Sequence, residues 1–310
     1  MLESAKTIKD LRPVDKILIT GGAGFIGSNV CDLLIEKGYE VVVVDNLSSG
    51  SDYNLNEKAK FYNLDITSKA LETVFMENKI DYVFHFAAQA SVSVSTKDPV
   101  GDANENIIGS VNLLTFCKKY GVKKFIVSST AAVYGIPEQL PVNEAHSTSC
   151  LSFYGLSKLT MEKYTELFGV DYIIFRFANV YGPRQSAHGE AGVVAIFADK
   201  MKNNEEIVIH GDGTQTRDFV YVTDIAEACL AAIKRDVSGE IINVSTNKAI
   251  SVNKLFELMA QKYGYQKPPK HMEERLGDIK HSILDNKKCQ KLLGILPKTS
   301  IQNGMKSLII

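Results

Sequence analysis

Five cysteines, Cys31, Cys117, Cys150, Cys229 and Cys289, are scattered along the chain without a C-x-x-C pair. An odd, widely spaced set of this kind argues against a disulfide framework, and they read as buried thiols in a reducing compartment. The six histidines include no pair at helical metal-ligand spacing, so no zinc site is expected. Charge is balanced, with 35 Lys plus Arg against 36 Asp plus Glu and no block of one sign. Neither a nucleic-acid stripe nor a polybasic membrane patch is therefore indicated. No uncharged apolar run approaches the ~20 residues that cross a bilayer. The opening "MLESAKTIKDLRPVDK" lacks the apolar core of a secretory signal, so a cytoplasmic location is expected. Internal repeats and low-complexity tracts are missing as well. These absences leave a globular protein whose partner is a small molecule.

The 310 residues, 45% of them apolar, are enough for one large core or two joined ones. Short runs rich in β-branched and aromatic residues recur: "KILIT" (16–20), "EVVVVD" (40–45), "YVFHFAA" (82–88), "KFIVSS" (124–129) and "DYIIFRF" (171–177). Their near-continuous apolarity suits strands of a parallel sheet covered on both faces. Helical patterns such as "SNVCDLLIEKG" (28–38) and "GSVNLLTFCKKYG" (109–121) lie between them. The β-α alternation predicts an α/β fold, a doubly wound parallel sheet with right-handed crossovers, over residues 1–178. Beyond it the texture turns loop-rich, with a helix near 193–203, strands at 205–211 and 240–245, a helix at 251–264 and a final helix. The expected division is a first domain of 1–178 to which 212–245 returns, and a smaller α/β domain of 179–211 and 246–310 at the sheet's carboxyl edge.

"KILIT" runs directly into "GGAGFIG", and the following residues open a helix. In this context Gly21 permits a tight turn, Gly24 lets a pyrophosphate approach the backbone, and Gly27 lets helix pack on strand. The helix N-terminus offers unpaired N–H groups to the anion. Asp45 ends the second strand eighteen residues after Gly27, where its carboxylate can accept both ribose hydroxyls and repel a 2′-phosphate. NAD is thus expected rather than NADP. Asp65, closing the third strand, either touches the adenine by similar geometry or forms a turn or cap.

Two tyrosines precede glycine, Tyr134 in "SSTAAVYG" and Tyr154 in "YGLSK". Tyr154 and Lys158, four apart on a helix, share one face. An ammonium there, with the positive ring of an oxidised nicotinamide, would favour the phenolate and make a base. Tyr134 lacks such a lysine and reads as a packing or positioning residue. Thr130, just past the fifth strand, either caps the strand end or holds a substrate oxygen beside Tyr154.

"TGGAGFIG", Asp45, "FHFAAQASV", "SSTAAVYG", "YGLSK", "RFANVYGPRQ", "HGDGTQTRDFVYVTDIA" and "RLGDI" occur in the order and spacing of a known family. The chain resembles the extended short-chain dehydrogenases/reductases, and within them the NAD-dependent nucleotide-sugar epimerases of the UDP-glucose 4-epimerase type, from Lys16 to the last helix. The resemblance implies a Rossmann fold with Tyr154 as catalytic base, Lys158 binding the nicotinamide ribose and tuning the tyrosine, and Thr130 as hydroxyl partner. It places Gly21, Gly24, Phe25, Ile26, Gly27, Asp45, Asn46, Asp65, Ile66, Ala87, Ala88, Gln89 and Asn106 at the cofactor. A UDP-sugar would meet Asn179, Val194, His210, Arg217, Arg275, Asp278 and Ser282. The implied reaction oxidises C4 to a ketone, turns the sugar about its pyrophosphate tether, and reduces the opposite face. A homodimer through the helices at 109–121 and 152–168 is also implied.

Three features bear on the reaction and the substrate. Dehydrating relatives carry an Asp-Glu pair after the threonine, and here Ala131 and Ala132 stand instead; methyl groups cannot move protons, so dehydration is disfavoured. Ser282 stands where epimerases restricted to unacetylated sugars are large, which leaves room for an N-acetyl group, and His210 replaces a common aromatic. The rival expectations are a hexuronate epimerase or another nucleotide-sugar epimerase or reductase, and, from a different class, a dinucleotide-binding protein without catalysis. The loop at 185–192 either closes over substrate or is a plain connection.

Overall fold

The computed structural model describes residues 15–187, 192–274 and 279–308. In chain order its strands are β1 (Lys16–Thr20), β2 (Glu40–Asp45), β3 (Lys60–Asn63), β4 (Tyr82–His85), β5 (Lys124–Thr130), β6 (Tyr172–Phe177), β7 (Asn179–Tyr181), β8 (Val208–His210), β9 (Thr216–Tyr221), β10 (Glu240–Val244), β11 (Ala249–Ser251), β12 (Lys270–Met272) and β13 (His281–Ser282). Seven of them form one sheet in the order β3-β2-β1-β4-β5-β6-β10. Every pairing in it is parallel. Alternate residues of β1 enter different cores: Ile17 and Ile19 join one apolar cluster, and Leu18 joins the other with Val42 and Val44. Burial on both faces is why these strands are apolar throughout rather than alternating.

The strand order reverses between β1 and β4. At such a switch point the loops leaving the carboxyl ends of the two strands diverge and open a crevice. The loops after β1 and β4 form its walls.

Past β6 the chain builds a smaller unit. β9 pairs with β7, β11 and β13, β8 pairs with β12, and a separate apolar cluster containing Phe197, Ile209, Phe219 and Leu255 fills the space between. The return of 212–245 to the large sheet begins only at Val222. β9, within that span, sends Phe219 and Tyr221 into the small unit's core, so packing keeps it there. The helix Val222–Lys234 then packs beside the first helix, Phe25–Glu36, and β10 joins β6.

The expected helix at 109–121 is longer at its start. Pro99–Ala103 is α-helical, Asn104–Ile108 takes π-helical hydrogen bonding, and Gly109–Lys119 continues as α-helix. Asp98 caps the assembly, its Oδ1 accepting from Gly101 N at 2.9 Å, and Pro99 sits at the first turn, where its missing N–H costs nothing. A π-turn shifts the facing of the residues within it, and here it buries Asn106. Among the described residues no helix is long and apolar enough to cross a membrane.

Candidate active site

The glycine loop fits the geometry its spacing predicts. Gly21 has φ +72°, and a Cβ there would lie 2.5 Å from Ala87 N, so the two walls of the crevice touch through a residue without a side chain. A Cβ on Gly27 would fall 2.1 Å from Gly21 O, which explains the helix's close seat on the turn. The helix Phe25–Glu36 starts after Gly24 with no side-chain cap, so its first amides are open to an anion.

Asp45 is buried and does two things. Its Oδ2 accepts from Ala23 N at 3.0 Å and its Oδ1 from Leu47 N at 2.8 Å, which shapes the loop while leaving each oxygen capacity for a ribose hydroxyl. Beside it Asn46 Nδ2 donates to Asp65 Oδ2 at 2.9 Å. Burial alone would raise the Asp65 carboxyl, but hydrogen bonds from Thr67 and Asn46 outweigh it and hold the group below the usual range. Asp45, Asn46, Asp65, Ile66, Ala87 and Ala88 line a hollow of about 40 Å³.

Gln89 and Asn106 do not line that groove; they stiffen its wall. Gln89 Nε2 donates to Asp102 Oδ1 at 2.7 Å, and Asn106 Nδ2 donates to Gln89 O at 2.9 Å, Asp102 Oδ1 at 3.1 Å and Ser157 Oγ at 3.0 Å. Asn106 Oδ1 is buried with no protein partner. An acceptor left this way calls for a donor from a ligand or an ordered water. His85 joins the same wall. Ser110 Oγ donates to Asn106 O at 2.6 Å, so it must accept from His85 Nε2–H at 2.8 Å, leaving Nδ1 to accept from Thr20 Oγ1 at 2.7 Å. Burial holds this imidazole neutral, its pKa pushed down to about 3.

A second hollow of about 260 Å³ runs from Gly24, Phe25, Ile26 and Gly27 to Tyr154 and Lys158. It shares Gly21 and Ala88 with the first. The third, of about 530 Å³, shares Thr130, Tyr154, Phe177 and Ala178 with the second. One continuous path therefore leads from Asp45 past the glycine loop to Tyr154, and onward into a separate cleft. An elongated dinucleotide fits the first two segments, with an acid at one end, open amides in the middle, and a lysine at the other.

Tyr154 lies on the helix Phe153–Leu167, whose cap Ser152 accepts from Gly155 N at 3.0 Å. Thr130 Oγ1 accepts from Ala132 N at 3.1 Å, as a strand-end cap, and its hydroxyl also acts on the Tyr154 phenol, drawing the phenol's pKa down. The capping reading of this threonine therefore holds, and its hydroxyl also borders the cleft that Tyr154 lines. Burial pushes the phenol up to about 12, against the pull of Thr130 and with the help of Asp102. Burial likewise lowers Lys158 to about 8, while Glu162 and Asp102 act to raise it. The expectation for the phenolate joined the Lys158 ammonium to the positive ring of an oxidised nicotinamide, and burial as high as this makes that second charge the one the phenol calls for.

Tyr134 is otherwise engaged. Fully buried, it donates to Asn243 Oδ1 at 2.7 Å, and the Arg176 guanidinium stands 4.7 Å from its ring centroid. The two glycines after the tyrosines also differ in duty. Gly135 has φ +68° and is pressed against Ser149 O, whereas Gly155 lets the helix start close to Ala132 O, 3.0 Å from where its Cβ would be.

Asn179, Arg217 and Ser282 line the third cleft together with Thr130, Ala131, Ala132 and Tyr154. Arg217 Nη1 donates to Thr216 O at 2.9 Å. His210 lies apart from that wall, in a recess of about 50 Å³ with Gly211 and Gln215, its Nδ1 3.2 Å from Glu273 O. Val194 is buried in the small unit's core and faces a different cavity, of about 650 Å³, beside Gln185 and Ala198. Arg275, Asp278 and residues 188–191 of the connecting loop lie outside the described residues.

Sequence reasoning missed Ser129, Glu162 and Arg176. The Arg176 Nε and Nη2 donate to Glu162 Oε1 and Oε2 at 2.9 and 2.6 Å, and Ser129 Oγ donates to Glu162 Oε1 at 2.5 Å. All three are buried. The available signal was the arginine inside "DYIIFRF": a charge in a buried strand requires a partner.

Residues 17–245 match the NAD dependent epimerase/dehydratase family. The putative UDP-glucose 4-epimerase of Methanocaldococcus jannaschii is 44% identical over 298 residues, which cover 94% of this chain and 97% of that protein. The UDP-glucose 4-epimerase of Thermotoga maritima, solved with UDP-glucose, superposes with a TM-score of 0.92 at 48% identity, covering 94% of this chain and 96% of that one. The UDP-N-acetylglucosamine 4-epimerase of Methanobrevibacter ruminantium, in complex with UDP-N-acetylmuramic acid, superposes with a TM-score of 0.89 at 36% identity, covering 95% and 98%. A parallel sheet with a glycine-loop crevice and a tyrosine-lysine pair at its far end defines an enzyme of the extended short-chain dehydrogenase/reductase type, with NAD as cofactor. The chain belongs to the NAD dependent epimerase/dehydratase family, and within it is a nucleotide-sugar epimerase.

Proposed function

We propose that the protein inverts C4 of UDP-hexoses, both UDP-glucose/UDP-galactose and their N-acetylated counterparts. The observation that carries this reading is the Thr130–Tyr154 pair on the wall shared by the cofactor groove and the cleft, followed by two alanines. A proton can be exchanged at a single sugar hydroxyl there, while Ala131 and Ala132 bring no acid or base to a neighbouring carbon.

Bound NAD would supply a reversible hydride acceptor for C4. Asp45 would hold the adenosine ribose, the open amides after Gly24 the pyrophosphate, and Lys158 the nicotinamide ribose. Tyr154, with Thr130 beside it, takes the proton of the C4 hydroxyl and gives it back to the C4 oxygen after the sugar has turned. Arg217 and Asn179 anchor the substrate's diphosphate, and with His210, Arg275 and Asp278 they make up the nucleotide side, whereas Val194, which faces a separate cavity, takes no part in it. Tethering that part while leaving the hexose loose is what permits both faces to be presented. The small unit, 179–211 and 246–310 together with β9, serves as the nucleotide-sugar domain in this reading.

Ser282 leaves space in the cleft, which supports acceptance of an N-acetyl group. Conversion of UDP-galactose and UDP-N-acetylgalactosamine by the wild type and by Ser282→Tyr tests this. Selective loss of the acetylated substrate is expected, and equal retention of both activities would rule the assignment out. UDP-glucuronate belongs in the same assay, since its turnover as the best substrate would favour the uronate reading. Location in the cytoplasm and a homodimer complete the proposal. Phe153, Leu156, Tyr164 and Leu167 on one helix and Val100 and Ile108 on its neighbour are exposed apolar groups that a second copy would cover.

A further inference from the structure

Ser129, Arg176 and Asn243 stand at one register level on β5, β6 and β10, one residue short of the catalytic edge of the sheet. Arg176 and Ser129 both converge on Glu162, which lies four residues beyond Lys158 and eight beyond Tyr154 on a single helical face. Glu162 is fully buried and the two Arg176 bonds are bidentate, so its carboxylate is fixed in orientation as well as position. Ser129 is the residue before Thr130. The Ser129–Glu162 bond therefore joins the strand that carries the hydroxyl partner to the helix that carries the base.

We propose that Glu162, gripped by Arg176 and Ser129, is a positioning residue that sets the separation of Thr130 from Tyr154 and steadies the charged form of Lys158. A general ion-pair anchor would serve anywhere along the helix. This one sits a single turn below Lys158 and is tied to the residue adjoining Thr130, which an anchor for stability alone does not require. The groups facing Lys158 are Tyr154 and Glu162 on its own helix, Asp102 from the stretch Pro99–Ala103 and His85 from β4. Burial keeps His85 neutral, so the carboxylates of Glu162 and Asp102 are the charges that favour the ammonium. Glu162 itself faces Arg176 from β6, Ser129 from β5 and the Cys150 thiol from the preceding loop. The inference rests on the role of Tyr154 and Lys158 given above, and its main readout needs no sugar nucleotide.

The test is trace acetylation of Lys158 with acetic anhydride across pH, read by mass spectrometry on the full-length protein, alongside kcat and KM. In Glu162→Gln the Lys158 midpoint should fall by about one pH unit. In Ser129→Ala the midpoint should stay while kcat drops about tenfold at unchanged KM, the signature of a misplaced hydroxyl pair. Should Glu162→Gln fail to fold because Arg176 is left uncompensated, the double variant Glu162→Gln/Arg176→Met carries a fall in the same direction but smaller, since the guanidinium's positive charge leaves together with the carboxylate. An unchanged Lys158 midpoint in whichever of the two variants folds, or a Ser129→Ala enzyme with wild-type kcat and only a lower Tm, overturns the proposal. A wild type that turns over no nucleotide sugar, with the Lys158 shift as expected, would count against the functional reading and leave the positioning intact.

Discussion

The Tyr154 phenol is pushed up to about 12 by burial, yet it lines both the cofactor groove and the cleft, while Tyr134 donates its proton into a buried amide. The two tyrosines should therefore separate cleanly on loss of their hydroxyls. Tyr154→Phe is expected to lower turnover by about 10²- to 10⁴-fold without unfolding the protein, because general acid-base assistance is what it removes. Tyr134→Phe keeps the ring beneath Arg176 but leaves Asn243 Oδ1 without its donor, which costs roughly 1–3 kcal/mol of stability and should leave kcat within a few-fold. Thermal melts and steady-state kinetics on the pair decide the matter. Similar losses of turnover in both variants would show that the assignment of roles is wrong. Arg176, in the same place, shows a limit on reading residues singly. It reads as an exception in an apolar run until Glu162, fourteen residues earlier, is seen to meet it from a helix.

Among the elements, β1, β4 and the helix Gly109–Lys119 are tied by one neutral imidazole, since His85 bonds both Thr20 and Ser110. Its folded pKa of about 3 lies below the ordinary histidine value of ~6.5. As pH falls from about 6.5 toward 3 the unfolded chain binds a proton that the folded protein refuses, so stability declines by up to ~1.4 kcal/mol per pH unit. Asp218 works in the opposite direction. Burial raises it to about 6, so between the ordinary carboxylate range and 6 the folded state keeps a proton the unfolded chain has lost. Comparing wild type with His85→Gln isolates the histidine: urea unfolding between pH 4 and 7 should give a flatter pH dependence in the variant. Parallel curves would contradict the neutral, buried assignment.

The same scale shows what the sequence carried. The large-sheet strands were legible because burial on both faces leaves apolar runs, and the glycine loop because its spacing serves local backbone geometry. The π-turn at Asn104–Ile108 left no periodic trace, since it shifts the facing of residues that are themselves polar or apolar as an α-helix allows. The strand β9 has no signature of its own sheet in the sequence, because "RDFVYV" is apolar in either setting, and only its neighbours β7, β11 and β13 determine where it lies. Four cysteines are buried as expected, whereas Cys150 is half-buried in the loop before the catalytic helix, which no helical pattern covered. The polar bracket of Ser129, Glu162 and Arg176 joins residues from two strands and a helix, a relation that exists only after folding.

For the whole molecule, the crevice at the strand-order reversal and the cleft against the small unit meet at one point, and Thr130 and Tyr154 occupy it. The proposed dimer follows from the exposed apolar face of the helix Phe153–Leu167. A Leu156→Asp/Leu167→Asp variant should sediment as a monomer while the wild type sediments as a dimer, because two exposed leucines of that helix would face the second copy. A wild-type monomer at micromolar concentration would remove this part of the proposal. The central claim, that one tyrosine-threonine pair serves reversible oxidation at C4 and nothing else, is tested most directly by following UDP-galactose with the purified, NAD-loaded protein by proton NMR. The account predicts UDP-glucose as the sole product, approach to the same equilibrium from either epimer, and no net accumulation of NADH. Loss of water from the sugar, a lasting keto product, or no conversion of any UDP-hexose by protein that holds NAD would contradict it.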